Sequence, residues 1–165
     1  MALREATHGT REFFQLKHRM LEFLVAEMGF TVFGIEAMMP EAFAINDYVL
    51  TGKGDPERAL AGLYFWMWNT EEVLDMIKWM RQYNADPRHV KKVKFYGIDM
   101  QHTPSAVRVT LSYLRKVDAE HATTAERALA QLANPLTAPD IVNRATADVK
   151  AMEAIAAVLT RFDAR

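Results

Sequence analysis

Thr31-Val32-Phe33-Gly34-Ile35-Glu36 is the stretch that decides the fold class of this chain. A short run of β-branched and aromatic residues reads as a buried strand, and here Glu36 stands at its C-terminal end. Gly29 separates it from an amphipathic stretch over 11–28, and Pro40 follows it, opening a helix over about 40–50 that Thr51-Gly52 closes. A second run of the same kind, Val93-Lys94-Phe95-Tyr96-Gly97-Ile98, leads into Asp99-Met100-Gln101-His102. Strands divided by long helical sequence pair in parallel through helical crossovers, so the pattern predicts an α/β fold with few strands and many helices. Two strands make a poor sheet. A third, over about residues 2–5, is therefore expected as a stub.

The helices announce themselves by spacing and by their end residues. In 11–28 the residues Phe13, Leu16, Met20, Phe23, Leu24 and Met28 fall on one stripe, which predicts the buried face. Asp55-Pro56-Glu57 marks another helix start. Asn69 with Glu72 makes a capping-box-like pair ahead of a helix whose buried stripe is Val73, Ile77 and Met80. Pro104 opens a helix with Val107, Leu111 and Leu114 inward. From Ala119 alanine dominates and aromatics nearly vanish. Residues 122–132 and 138–163 read as helices divided by Asn134-Pro135, and the last carries a long stripe from Ile141 to Phe162. Residues 119–165 are thus expected to form a helical C-terminal part. No internal repeat or low-complexity segment stands out.

The chain has 165 residues, 50% hydrophobic and 25% charged, enough for one domain with a sizeable core. A net charge of −1 gives no basic face for nucleic acid, and Lys91, Lys92 and Lys94 read as solvated charge beside a strand. No cysteine is present, which excludes a disulfide scaffold, a thiolate zinc site and a cysteine nucleophile. The apolar run Leu60 to Trp68 is broken by Gly62 and far too short to span a bilayer. With charge beginning at Arg4, no secretory signal is read. The expectation is a cytoplasmic protein with neither a nucleic-acid nor a membrane partner.

Chemistry points first to Glu5-Ala6-Thr7-His8-Gly9-Thr10, where a carboxylate, a hydroxyl and an imidazole crowd together at the turn before a helix. Imidazole ordinarily titrates near neutrality, which suits it to take a proton from water. Glu5 and His8 follow the expected first strand, Glu36 ends the second, and Asp99, with His102 close by, ends the third. In parallel α/β sheets ligands bind beyond the carboxyl ends of the strands, so these residues are expected to gather on one rim. There His8 would deprotonate water, while Glu5 or Glu36 would hold the imidazole or orient the water. Lys17 or Arg11, on the following helix, would balance charge or contact a substrate oxygen. No Gly-x-Ser-x-Gly elbow supports an acyl-serine route. The same acids and His8 are the rival ligands of a zinc or manganese ion, but no tight ligand spacing occurs, and a site without metal or cofactor is preferred. Tyr64, Phe65, Trp66 and Trp68 read as core before they read as a pocket.

Residues 5–14 resemble the signature of the erythromycin esterase family, some of whose relatives carry the label of succinoglycan biosynthesis proteins. Further matches follow in the same order: Phe33-Gly34-Ile35-Glu36-Ala37, Met39-Pro40-Glu41-Ala42, Asn46-Asp47-Tyr48-Val49, Trp68-Asn69-Thr70-Glu71-Glu72-Val73 and Phe95-Tyr96-Gly97-Ile98-Asp99-Met100-Gln101. The resemblance covers residues 4 to about 101. It implies a bacterial α/β hydrolase of esters, with macrolide resistance in the best-known members. It implies that His8 is the general base, with Glu5 and Glu36 as the site's acids and Lys17 as its basic residue. The family has a glycine before the motif glutamate, where this chain has Arg4, and its members are longer, with further histidines and arginines in a second half. The expectation is accordingly a single truncated domain, 1–165, corresponding to the family's N-terminal portion. The expected partner is a small-molecule ester or lactone. The alternative is a catalytically silent relative that binds a partner or forms a homo-oligomer.

Overall fold

The structure, a computed structural model, describes residues 1–133 and, beyond them, only Glu153, Ala156, Ala157 and Thr160. Those four are helical and fall in the expected helix over 138–163, whose apolar stripe lies outside the described residues. The chain divides into two compact units, Met1–Gln101 and His102–Arg165.

In the first unit the order is α1 (Arg11–Ala26), β1 (Val32–Met38), α2 (Met39–Thr51), α3 (Pro56–Ala61), a 3-10 turn (Trp66–Trp68), α4 (Glu71–Ala85) and β2 (Lys94–Asp99). β1 and β2 pair in parallel, Val32 opposite Lys94 and Ile35 opposite Gly97, with helices forming the crossover between them. This is the α/β arrangement that the alternation of strand and helix signals implies. The register then shifts, so that Met38 rather than Ala37 lies opposite Asp99. That is one extra residue on β1, a bulge at Glu36-Ala37. The strand therefore continues past Glu36 instead of ending there.

Residues 1–5 form no strand, against the expectation of a stub over 2–5. Met1-Ala2-Leu3 offers too few rungs for a ladder, and the described sheet has two strands. Gly97 explains the closeness of the strands at the bulge. A Cβ there would stand 2.4 Å from the Ala37 carbonyl oxygen and 2.6 Å from that of Met38.

Polar side chains tie the helices to the sheet. Lys94 donates its amide to Thr31, so the next amide, that of Phe95, points away from β1. The Asn46 side chain of α2 accepts it at 3.0 Å. Asn84 of α4 is buried, donates to the carbonyls of Val49 and Val93, and accepts the Val93 amide. Between them lies the main core, including Ile35, Ala37, Ile45, Val49, Ile77, Met80, Val93 and Phe95.

Helix ends follow sequence chemistry with one correction. Gly52 closes α2 in the left-handed conformation, φ 76°, and Asp55 caps α3 by accepting the amides of Glu57 and Arg58. The cap of α4 is Thr70, which accepts the Val73 amide, and not Asn69, which ends the preceding 3-10 turn. The face of α1 also differs from the stripe expected. Phe14, Leu21 and Val25 are buried, whereas Leu16 and Phe23 are each 57% exposed.

The second unit holds α5 (Pro104–Val117) and α6 (Ala119–Ala133). Val107, Leu111 and Leu114 bury against Ala122, Ala125 and Leu129, which is the use the sequence assigns to the α5 stripe.

Candidate functional site

Glu5 and His8 stand in the turn that precedes α1. Gly9, at φ 76°, lets the chain reverse into the helix, and it lies against the Trp66 ring of the 3-10 turn. The Nδ1 of His8 meets Oε1 of Glu5 at 2.7 Å. The other carboxylate oxygen, Oε2, accepts a hydrogen bond from the Lys17 ammonium. Lys17 belongs to the second turn of α1, so the helix returns its side chain to the loop it grew from. Its Nζ also lies 5.5 Å from the centre of the Phe14 ring and 5.9 Å from that of Trp68.

The three groups differ in access. The side chain of Glu5 is 7% exposed and that of Lys17 17%, whereas that of His8 is 57% exposed. Burial alone would raise the Glu5 carboxyl, but the hydrogen bonds and charges of Lys17 and His8 outweigh it and hold the group below its ordinary value. Ionised Glu5 can only accept, so His8 Nδ1 carries a proton, and in the neutral ring the lone pair is left on Nε2.

Glu36, on the bulge of β1, is fixed through its backbone and its side chain. Its carbonyl accepts the Trp68 indole N–H at 2.7 Å, and its carboxylate accepts the side-chain amide of Gln101 at 3.3 Å. Glu5, His8, Lys17 and Glu36 all line one cavity of about 510 Å³ within the first unit. Glu5, His8 and Lys17 are near neighbours in sequence, and the fold adds the distant Glu36 to the same lining. Arg11 is not in the lining. Its guanidinium pairs with Glu72 at 3.0 Å, and Glu72 does line the cavity. Asp99 and His102 are not among the lining residues. Asp99 uses Oδ1 for the Met100 amide, and His102 belongs to the second unit.

Two contributors escaped the sequence reading. Glu72 looks like half of a capping box, yet its carboxylate turns to Arg11 and the cavity. Trp68 is buried, as a core aromatic should be, but its indole N–H holds the strand end that carries Glu36. Neither role has a local signature, because both depend on partners remote in sequence. Among the described residues no group of three or more His, Asp or Glu is arranged to hold a metal ion.

The sequence pattern of the family described as erythromycin esterase matches residues 25–165. The chain belongs to the erythromycin esterase family. It is 34% identical over 102 residues to the erythromycin esterase type II of Escherichia coli, covering 61% of this chain and 23% of that protein. It is 27% identical over 123 residues to the putative hydrolase YbfO of Bacillus subtilis (strain 168), covering 73% of this chain and 26% of that protein. Among solved structures it resembles a Bacillus cereus protein, with TM-score 0.64 and 37% identity over 77% of this chain and 30% of the other. It also resembles a succinoglycan biosynthesis protein, with TM-score 0.66 and 35% identity over 79% of this chain and 33% of the other. The chain thus spans about a quarter of the two curated relatives, 23% and 26% of their lengths. The signature around His8 lies upstream of the matched segment, which begins at residue 25. No described helix is long and apolar enough to cross a membrane.

Proposed function

We propose that this family member forms a hydrolytic centre for a small-molecule ester or lactone, with His8 as general base. The observation that carries the reading is the Lys17–Glu5–His8 relay at the wall of the cavity. His8 Nε2 takes a proton from water, and the water oxygen adds to the ester carbonyl carbon. Glu5 holds the imidazole by Nδ1 and stabilises the imidazolium that forms, as an orienting carboxylate does in a hydrolytic triad. The tetrahedral intermediate collapses with cleavage of the carbon–oxygen bond to the alcohol portion. The imidazolium returns its proton to that alkoxide, leaving a carboxylic acid and an alcohol, or one hydroxy acid from a lactone. Glu36 orients the water. Lys17 keeps Glu5 ionised and in place, and Arg11, near the Glu72 wall, is the outer contact for substrate oxygens. This reading gives no role to Asp99 or His102.

Hydrolysis of p-nitrophenyl and macrolactone esters by the purified 165-residue chain tests the reading. His8→Ala should abolish turnover, and turnover unchanged in that variant rules the role out.

A second reading, a catalytically silent relative that assembles with copies of itself, is favoured by the exposed Leu16 and Phe23 on α1. Sedimentation tests it: a monomer at high concentration counts against assembly.

A further inference from the structure

The cavity lining carries charge at Arg4, Glu5, Lys17, Glu36 and Glu72, and on three elements it turns apolar beyond these residues. Three elements carry this gradient in the same direction. On α1 the lining runs from Phe14 and Lys17 to Leu21 and Leu24, successive positions of one helical face. On α4 it runs from Glu72 to Val73 and Met76. On β1 it runs backwards from Glu36 through Ile35, Gly34 and Phe33 to Val32. Phe30 belongs to the same apolar part. From Lys17 to Leu24 the helix rises about 10 Å, and from Glu36 to Val32 the strand spans about 13 Å. That is the reach of an extended hydrocarbon chain of medium length. No charged residue lines the cavity on these elements past Lys17, Glu72 and Glu36 in the apolar direction.

We propose that the cavity takes a straight apolar chain along β1, between α1 and α4, with the scissile ester held at the Glu5–His8 end. The substrate class is thereby an ester with an unbranched hydrocarbon arm, on either its acyl or its alcohol side. The ester rests on the hydrolytic reading above; the chain rests on the cavity alone. A hydrocarbon arm gains about 0.8 kcal/mol for each methylene removed from water, close to a fourfold gain in affinity at room temperature.

Two measurements on the 165-residue chain separate the two ideas. The first is kcat/KM for p-nitrophenyl esters of rising acyl length, beside acetate esters of rising alcohol length. One series should climb severalfold per added methylene and fall once the arm outgrows the cavity, and the series that climbs identifies the buried side. Leu24→Gln should lower the ratio of long-ester to short-ester turnover. The second is binding of neutral 1-octanol against 1-butanol, followed by tryptophan emission, since Trp68 lines the cavity. Octanol should bind at least tenfold more tightly, and Leu24→Gln should narrow that gap. Turnover abolished by His8→Ala but indifferent to arm length, with octanol and butanol bound alike, overturns the chain proposal and leaves the hydrolytic reading standing. Octanol preferred in a chain that hydrolyses no ester leaves the cavity proposal standing and removes the reading.

Discussion

The indole N–H of Trp68 donates to the backbone carbonyl of Glu36 at 2.7 Å, joining the 3-10 turn to the bulge of β1. That bond fixes the stretch of strand from which the Glu36 carboxylate projects. The same indole ring lies beside Lys17 and Phe14. One side chain thus touches both the bulge that carries Glu36 and the turn of α1 that carries Lys17.

Trp68→Phe keeps a ring in place and removes the donor. Leaving the Glu36 carbonyl without its partner should cost about 1–2 kcal/mol. Urea denaturation should show the midpoint falling with its slope unchanged. Ester turnover should fall further than stability alone explains, because the bulge loosens; an unchanged midpoint would mean that water replaces the bond without loss.

Glu5→Gln preserves shape and removes charge. The amide no longer obliges Nδ1 of His8 to carry the proton, so nitrogen shifts of the ring should report a mixture of tautomers. Turnover should drop at least about a hundredfold. The stability difference has a definite sign with pH. Burial would raise the Glu5 carboxyl, but Lys17 and His8 lower it from its ordinary 4.5. The stabilisation is therefore complete above pH 4.5 and is lost as pH falls through the lowered folded value. Wild type and variant should converge in melting temperature below the lowered folded value and stay a constant distance apart only above pH 4.5.

Gly97→Ala puts a methyl group into the carbonyls of Ala37 and Met38, which are backbone atoms and cannot turn aside. The strands must separate at the bulge, at a cost of about 3 kcal/mol. Gly34→Ala is the matched control. Its nearest neighbour, at 3.0 Å, is a side-chain carbon of Ile98, which is largely exposed and free to move. That change should cost under about 1 kcal/mol. Equal midpoints for the two variants in urea would contradict the close approach.

His18 lies on the inner side of α1 with its ring against Trp79. Burial lowers its pKa from the ordinary 6.5, and Glu22 and Asp75 offset this only in part. The unfolded chain then binds the proton more readily than the folded one, so stability is full above pH 6.5 and declines as pH falls below it. Melting followed from pH 7.5 to 5.5 should show that slope in the wild type and a flatter profile in His18→Gln.

Local chemistry by itself determined much of this protein. The β-branched runs gave the two strands, Pro40 and Gly52 bounded α2, Asp55 capped α3, and the ordered motifs around His8, Glu36 and Asp99 pointed to the family. Each of these is written in neighbouring residues, where propensity and capping act. Tertiary structure decided the rest. Helix α1 has two apolar faces, one through Leu16, Met20 and Phe23 and one through Phe14, Leu21 and Val25, and spacing alone does not choose between them. Packing in the first unit buries the second. That choice also turns Lys17 toward Glu5, since it shares the face with Leu21. The bulge at Glu36-Ala37 and the pairing of Glu72 with Arg11 likewise depend on partners distant in sequence. Pairings across long separations leave no periodic trace in a chain, so candidate residues could be named from sequence while the contacts they make could not.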